Sequence, residues 1–352
     1  MRKIWLWSVL ILAVVGLGVA CTGPGASPTA TAKPGPAAGL VFVTQPGGTT
    51  AGTPFIQPVL KVVDGEGDAA TGAQVLVTLS ITPGTGGKGA VLYGPTTINS
   101  VDGMVTFRDL FIDVAGAGYT LTASARGLET VASEPFDVKP GTAAKLVFGK
   151  QPGPAIAGSM LSVQPAVRIE DAYGNLVNDA SLPVTLVVVW KANSADAVLA
   201  GTTTVNALNG IATFSGLYIE RSSSYSLTAS SGGLSQGTSG YFQVLPAPPS
   251  KVAFTMQPAG AKAGAAFTIQ PEVEIQDVYG NTIESTEPVS IAITPGTGAG
   301  GAVLSGTTTI EAFYGMVSYQ DLAIDLAGEG YTLTASSGSL TAGVSGPFDV
   351  TP

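Results

Sequence analysis

The chain is written in short stretches of alternating apolar and polar residues, separated by clusters of Gly, Pro, Asn and Asp. In "PVSIAIT" (Pro288–Thr294), Val289, Ile291 and Ile293 share one side. In "FTIQPEVEIQD" (Phe267–Asp277), Val273 and Ile275 point one way and Glu272, Glu274 and Gln276 the other. Side chains alternate across a strand with period two, so each stretch predicts a strand with one buried face. "VAFTMQP" (Val252–Pro258) predicts a short first strand ended by Pro258. "VYGN" (Val278–Asn281) predicts a turn, because Gly280 and Asn281 tolerate positive φ. A hairpin is predicted around Tyr314-Gly315, with Asp102-Gly103 and Asn209-Gly210 at the matching points upstream. "GYTLTASS" and "SGPFDV" supply the last strands. Seven or so short strands with no helical periodicity predict an all-β, antiparallel two-sheet sandwich of ~100 residues.

This pattern occurs three times. "LVFVTQPG" at Leu40 returns as "LVFGKQPG" at Leu146 and "VAFTMQPA" at Val252, 106 residues apart each time. "GYTLTAS", "SYSLTAS" and "GYTLTAS" around Tyr119, Tyr225 and Tyr331 keep the same spacing. A period this long marks an array of domains, since solenoid units run ~20–50 residues. The expected boundaries are 39–139, 145–245 and 251–352, joined by the short connectors "KPGTAA" (Lys139–Ala144) and "LPAPPS" (Leu245–Ser250). Such connectors restrict rotation, which predicts a semi-rigid rod.

The recurring "DAYGN" (Asp171–Asn175), "DVYGN" (Asp277–Asn281), "GTTTVNALNGIATF" (Gly201–Phe214) and "YTLTAS" strands resemble bacterial immunoglobulin-like repeats of intimin- and invasin-like surface proteins. Repeat one departs, with "DGEGDA" (Asp64–Ala69) in place of "DAYGN". The resemblance implies three tandem immunoglobulin-like domains exposed outside the cell. It places Tyr119, Tyr225 and Tyr331 like the tyrosine corner of such folds, whose hydroxyl bonds back to nearby backbone. A fold of this kind specifies no activity.

Residues 1–20 begin with Arg2 and Lys3 and continue in an almost wholly apolar run, a secretory signal pattern. "GVAC" resembles the lipobox of bacterial lipoproteins, with Gly18 departing from the Leu, Val or Ile usual there. The resemblance implies that Cys21, the chain's only Cys, is lipidated and anchors the protein to the cell membrane or outer membrane. The following stretch to Ala38 lacks any large apolar residue and is expected to be a flexible linker, residues 21–38.

Composition narrows the chemistry. The formal net charge of −9 becomes about −11 without the leader, and no Lys/Arg cluster survives, which argues against a nucleic-acid partner. The chain has no His, the commonest general base and metal ligand. No cofactor and no enzymatic activity are expected. Asp64, Asp171 and Asp277 are read as Asx-type turn residues; the competing calcium reading needs 6–8 oxygens, and no run of acids supplies them. Asp109 with Asp113, and Asp321 with Asp325, are read as solvated strand residues. Their i, i+4 spacing would hold them ~13 Å apart, beyond glycosidase reach. Repeat two keeps only Glu220, with Gly216 at the other place. Lys61, Arg168 and Glu274 share an outward position whose charge changes sign, so no chemistry is assigned to it. Gln45, Gln151 and Gln257 each precede Pro and are read as caps on exposed backbone at a strand end. Trp190 is either an extra core residue of repeat two, the preferred reading, or a contact for a sugar or protein. The chain is therefore expected to be an envelope spacer or adhesion protein. The alternatives are a carbohydrate- or cell-wall-binding array and an accessory subunit of an envelope complex.

Overall fold

The computed structural model describes residues 35–190 and 197–352, with Trp190 described by its backbone alone. The signal segment, Cys21 and the linker as far as Pro34 lie outside the described residues. Every regular element described is a strand.

The alternating stretches of the first repeat form β1 (Gly39–Thr44), β2 (Thr49–Thr50), β3 (Val59–Val63), β4 (Leu76–Ile81), β5 (Leu92–Tyr93) and β6 (Thr97–Asn99). They continue as β7 (Met104–Thr106), β8 (Phe111–Ile112), β9 (Gly116–Tyr119), β10 (Leu121–Ala125), β11 (Val131–Ala132) and β12 (Phe136–Lys139). One sheet runs β1-β3-β7; the other runs β11-β10-β4-β6. β9 leads into β10 and pairs with β12, and β2 pairs parallel to β12. This is the immunoglobulin-like division, with the first, second and fifth main strands facing the third, sixth and seventh. Period two decides what lies between the sheets: Leu60 and Val62 of β3 face Val77 and Leu79 of β4 and Leu121 and Ala123 of β10, all buried. Burial of each large apolar side chain contributes ~1.5–3 kcal/mol.

The second and third repeats rebuild the same layers. Lys145–Lys150 pairs with Ala166–Glu170, and Lys251–Met256 with Glu272–Gln276, each with a register irregularity just after Phe148 or Phe254, as after Phe42 in β1. The buried apolar residues form three separate clusters, Leu40 to Val138, Leu146 to Val244 and Val252 to Val350. Each sandwich thus has its own interior.

Two local expectations change. The strand expected over Phe267–Asp277 is only Glu272–Gln276. Pro271 has no N–H for a ladder, and Gln270 replaces the ladder with its side chain, donating to Phe267 O at 3.2 Å and Leu322 O at 3.1 Å and accepting from Leu322 N–H at 3.1 Å. Gln57 and Gln164, also before Pro, make the same clasp on Leu110 and Leu217. The turn at Tyr314-Gly315 forms, closed by Phe313 N–H to Met316 O at 2.9 Å and Met316 N–H to Phe313 O at 3.1 Å. Its arms then separate. Thr309–Glu311 joins Pro288–Ile293 in one sheet and Met316–Ser318 joins Glu272–Gln276 in the other. Both arms cover core, so they must part to opposite sides of it.

Candidate functional site

The most elaborate polar construction lies where one sandwich meets the next. Each Asp of the repeated turn is buried. Asp171 Oδ1 accepts the N–H groups of Tyr173 and Asn175 at 2.9 Å each, and Oδ2 accepts Gly141 N–H at 2.8 Å and Asn175 Nδ2 at 2.9 Å. Asp277 repeats this with Tyr279 and Asn281 on Oδ1, and with Ala247 N–H and Asn281 Nδ2 on Oδ2. Gly141 and Ala247 belong to the connectors, so each carboxylate fixes the chain as it enters its sandwich. Asp64 holds the N–H of Gly35 at 3.0 Å in the same manner, and Ala38 N–H bonds Val63 O at 2.7 Å. Burial alone would raise the pKa of Asp171 and Asp277. Hydrogen bonds from the Asn side chain and from the backbone N–H groups outweigh it, and the net shift is downward.

The Asn at the end of the turn then crosses to the preceding sandwich. Asn175 Nδ2 donates to Asp113 O at 2.8 Å, and its Oδ1 accepts Ala115 N–H at 2.8 Å. Asn281 does the same with Glu220 O at 2.7 Å and Ser222 N–H at 2.9 Å. One amide matches one backbone acceptor and one donor, because its NH2 donates and its carbonyl oxygen accepts. The receiving loop is itself pinned by the tyrosine. Tyr119 donates to Val114 O at 2.7 Å and Tyr225 to Arg221 O at 2.9 Å; Tyr331 reaches Leu326 O at 2.9 Å. The tyrosine hydroxyl and the following sandwich therefore brace adjacent groups of one loop.

The Tyr within the turn supplies packing. Tyr173 lies on Gly52 and Tyr279 on Gly158, both glycines at positive φ, and a Cβ at either would run into the ring. Tyr279 packs against the second core. At the second joint Arg221 adds a bond from Nη1 to Tyr279 O at 3.2 Å. A cleft of about 850 Å³ beside the first joint, lined by Ala115, Lys139, Arg168, Asn175 and Asp179 among others, holds no paired nucleophile and base.

The other sequence-marked residues serve the frame. Gln45, Gln151 and Gln257 accept the N–H of Glu134, Gly240 and Gly346 at 3.0, 2.9 and 2.8 Å, tying the end of each first strand across the sandwich. Asp109, Asp113, Asp321 and Asp325 are not strand residues, contrary to the sequence expectation: they lie in the bends flanking short strands. Asp113 accepts Val91 N–H and Tyr93 Oη, Asp325 accepts Val303 N–H, and Asp321 accepts both Thr307 N–H and Thr307 Oγ1. The carboxylates of Asp113, Asp321 and Asp325 are spent on loop backbone and hydroxyl groups. Lys61 donates to Gly67 O, Arg168 meets Glu170 at 3.2 Å, and Glu274 accepts Thr282 Oγ1. Among the described residues no group of three or more His, Cys, Asp or Glu is arranged to hold a metal ion. The Trp190 backbone pairs with Tyr225; its side chain lies outside the described residues.

One surface feature went unremarked in the sequence. Phe313 and Tyr314 are 72% and 57% exposed, edge to face with centroids 4.6 Å apart. Tyr314 has φ 49°, where the matching turns carry Asp102 and Asn209. Asp and Asn tolerate this conformation; a bulky aromatic there is an outlier. The signal was present as "FYG" against "VDG" and "LNG".

No protein-family model and no curated protein matches the chain. Among solved structures it is similar to FdeC, an Escherichia coli adhesin, at 16% identity and TM-score 0.32, covering 90% of this chain and 98% of that one. It is also similar to invasin, a bacterial integrin-binding protein, at 16% identity and TM-score 0.31, covering 87% of this chain and 59% of that one. Two domains of intimin align at 14% identity and TM-score 0.33, covering 59% of this chain and 98% of that one.

Proposed function

We propose that this chain is a non-enzymatic lipoprotein of the cell envelope, a jointed spacer that carries an adhesive end. The signal segment takes it out of the cytoplasm, Cys21 holds it to a membrane through lipid, and the linker to about residue 38 lifts the sandwiches clear of the lipid surface. The sandwiches, at 39–139, 145–245 and 251–352, project in a row. The observation that carries this reading is the joint built twice from the same parts: an Asp that fixes the connector, a Tyr seated on a Gly, and an Asn bonded across. Independent cores would tolerate a loose string; two braced joints are what a spacer under load requires. The absence of His in the sequence fits a mechanical role.

Interaction with a surface partner, sugar or protein, is assigned to the third sandwich. The exposed Phe313–Tyr314 pair favours it, because exposed aromatics stack on apolar faces at low entropic cost. Palmitate labelling of expressing cells, with Cys21→Ser as control, and protease shaving of whole cells test the anchoring and exposure. Cys21-dependent label and loss of the sandwiches on shaving are expected; label that persists in Cys21→Ser, or sandwiches protected inside the cell, would refute the reading. An adherence assay with Phe313→Ser/Tyr314→Asn tests the adhesive end, and undiminished adherence would remove it.

A further inference from the structure

The third sandwich carries the receiving half of the joint, and among the described residues nothing is seated on it. Gly264 stands 106 residues after Gly158 and 212 after Gly52, inside the same Ala-Gly pair. It keeps the positive φ, 72° against 73° and 75°. At Gly52 and Gly158 the space above the glycine is filled by Tyr173 and Tyr279; at Gly264 nothing lies within 4 Å. The receiving loop is also intact. Tyr331 donates to Leu326 O at 2.9 Å, as Tyr119 and Tyr225 do to their loops. Asp325 and Ala327 stand where Asp113 and Ala115 offer Asn175 a carbonyl and an N–H. The Asp325 carbonyl and the Ala327 N–H make no hydrogen bond among the described residues, and Leu326 is exposed. A loop braced by a buried tyrosine, beside a glycine at positive φ, repeats both features that receive the turn at the two joints.

We infer that this end of the third sandwich is a socket for a further immunoglobulin-like domain whose first turn reads Asp-x-Tyr-Gly-Asn. The occupant is not a second copy of this chain. The turns at Asp171 and Asp277 are already seated. The remaining turn, at Asp64, has Glu66 and Asp68 where the others have Tyr and Asn. An Asp68 carboxylate has no donor for the Asp325 carbonyl, and Glu66 brings a charge to a seat shaped for a ring. The socket therefore takes a domain whose turn differs from that of the first sandwich.

The test appends a second copy of Ala247–Pro352 after Pro352 of the full chain, which recreates a connector and supplies the Tyr-Gly-Asn turn. Spin labels at Ser290 and at its copy report the angle and spread between neighbours, against labels at Thr185 and Ser290 for the existing joint. The appended unit is expected to give a distance distribution as narrow as the existing joint. That narrowness is expected to be lost when Tyr and Asn of the appended turn become Ser, and lost again in Gly264→Val. A broad distribution with the unaltered turn would overturn the socket, as would a narrow one indifferent to Gly264→Val. Melting of the third sandwich in the Gly264→Val chain without the appended unit shows whether that variant folds; Leu326→Asp serves if it does not. Sedimentation of the unmodified chain tests the excluded occupant: concentration-dependent head-to-tail association would overturn the choice of partner.

Discussion

The joint between the second and third sandwiches takes two of its hydrogen bonds from one amide, so Asn281→Ala is the most informative single change. Asn281 is 6% exposed and makes two bonds across the joint, 2.7 Å to Glu220 O and 2.9 Å to Ser222 N–H. A neutral hydrogen bond contributes ~0.5–1.5 kcal/mol net. Two of them make the loss about 2 kcal/mol, or roughly 30-fold in the ratio of seated to unseated joints at tenfold per ~1.4 kcal/mol. The second sandwich is untouched and should melt nearly as before, while the third also loses the 2.7 Å bond from the amide to buried Asp277 Oδ2 and should melt somewhat lower. Spin labels at Thr185 and Ser290, one on each side, should report a broadened distance distribution. Asn281→Asp separates bonding from shape. It keeps the size and the acceptor for Ser222 N–H, but sets a carboxylate beside the Glu220 carbonyl and Asp277 Oδ2, to which the native Asn281 amide donates at 2.7 Å. Like charges in that position repel, so Asn281→Asp should loosen the joint more than Ala does. A distribution unchanged in Asn281→Ala, or Asp tolerated better than Ala, would refute the assignment of the joint to this amide.

Other changes test neighbouring parts. Tyr225→Phe deletes the 2.9 Å bond to Arg221 O and should cost the second sandwich ~1 kcal/mol in denaturant unfolding, while also loosening the joint that its loop receives. Because Asp171 and Asp277 have pKa values lowered from 3.8 by folding, the stability they contribute is present above that value and lost as pH falls through their folded values. Label distances followed from pH 7 to pH 2 should therefore widen only at the acid end; widening near neutrality would contradict the carboxylate's role. Tyr314→Asn puts a residue tolerant of positive φ into the turn at 49° and should raise the melting midpoint of the third sandwich, with a gain on the order of 1 kcal/mol. A loss of stability there would show that the exposed ring is structural.

Much of the frame could be read from residue order. The placing of the repeated Tyr ahead of "LTAS" came from the resemblance to immunoglobulin-like repeats, whereas alternation identified the buried faces of Val289 and Ile291 because it is a local property of spacing. The turn Asp was legible as an Asx turn for the same reason: its Oδ1 partners lie two and four residues on. Its Oδ2 partner, 30 residues earlier, was not. The Gln-Pro clasps at Gln57, Gln164 and Gln270 were missed because their bonded amides lie 53, 53 and 52 residues away. Asp109 and Asp113 were placed on a strand because spacing alone does not reveal that bends flank β8.

The sequence by itself determined that this protein is β-rich, that it is triplicate, and which side of each strand turns inward, since those follow from periodicity of two and from recurrence at 106 residues. Tertiary structure alone decided what the repeats do to one another. An Asn finds its carbonyl, and a Tyr its glycine, only after two chain segments more than fifty residues apart have folded and met. Hydrogen bonds and ring contacts act over a few ångströms in space, whatever their separation along the chain.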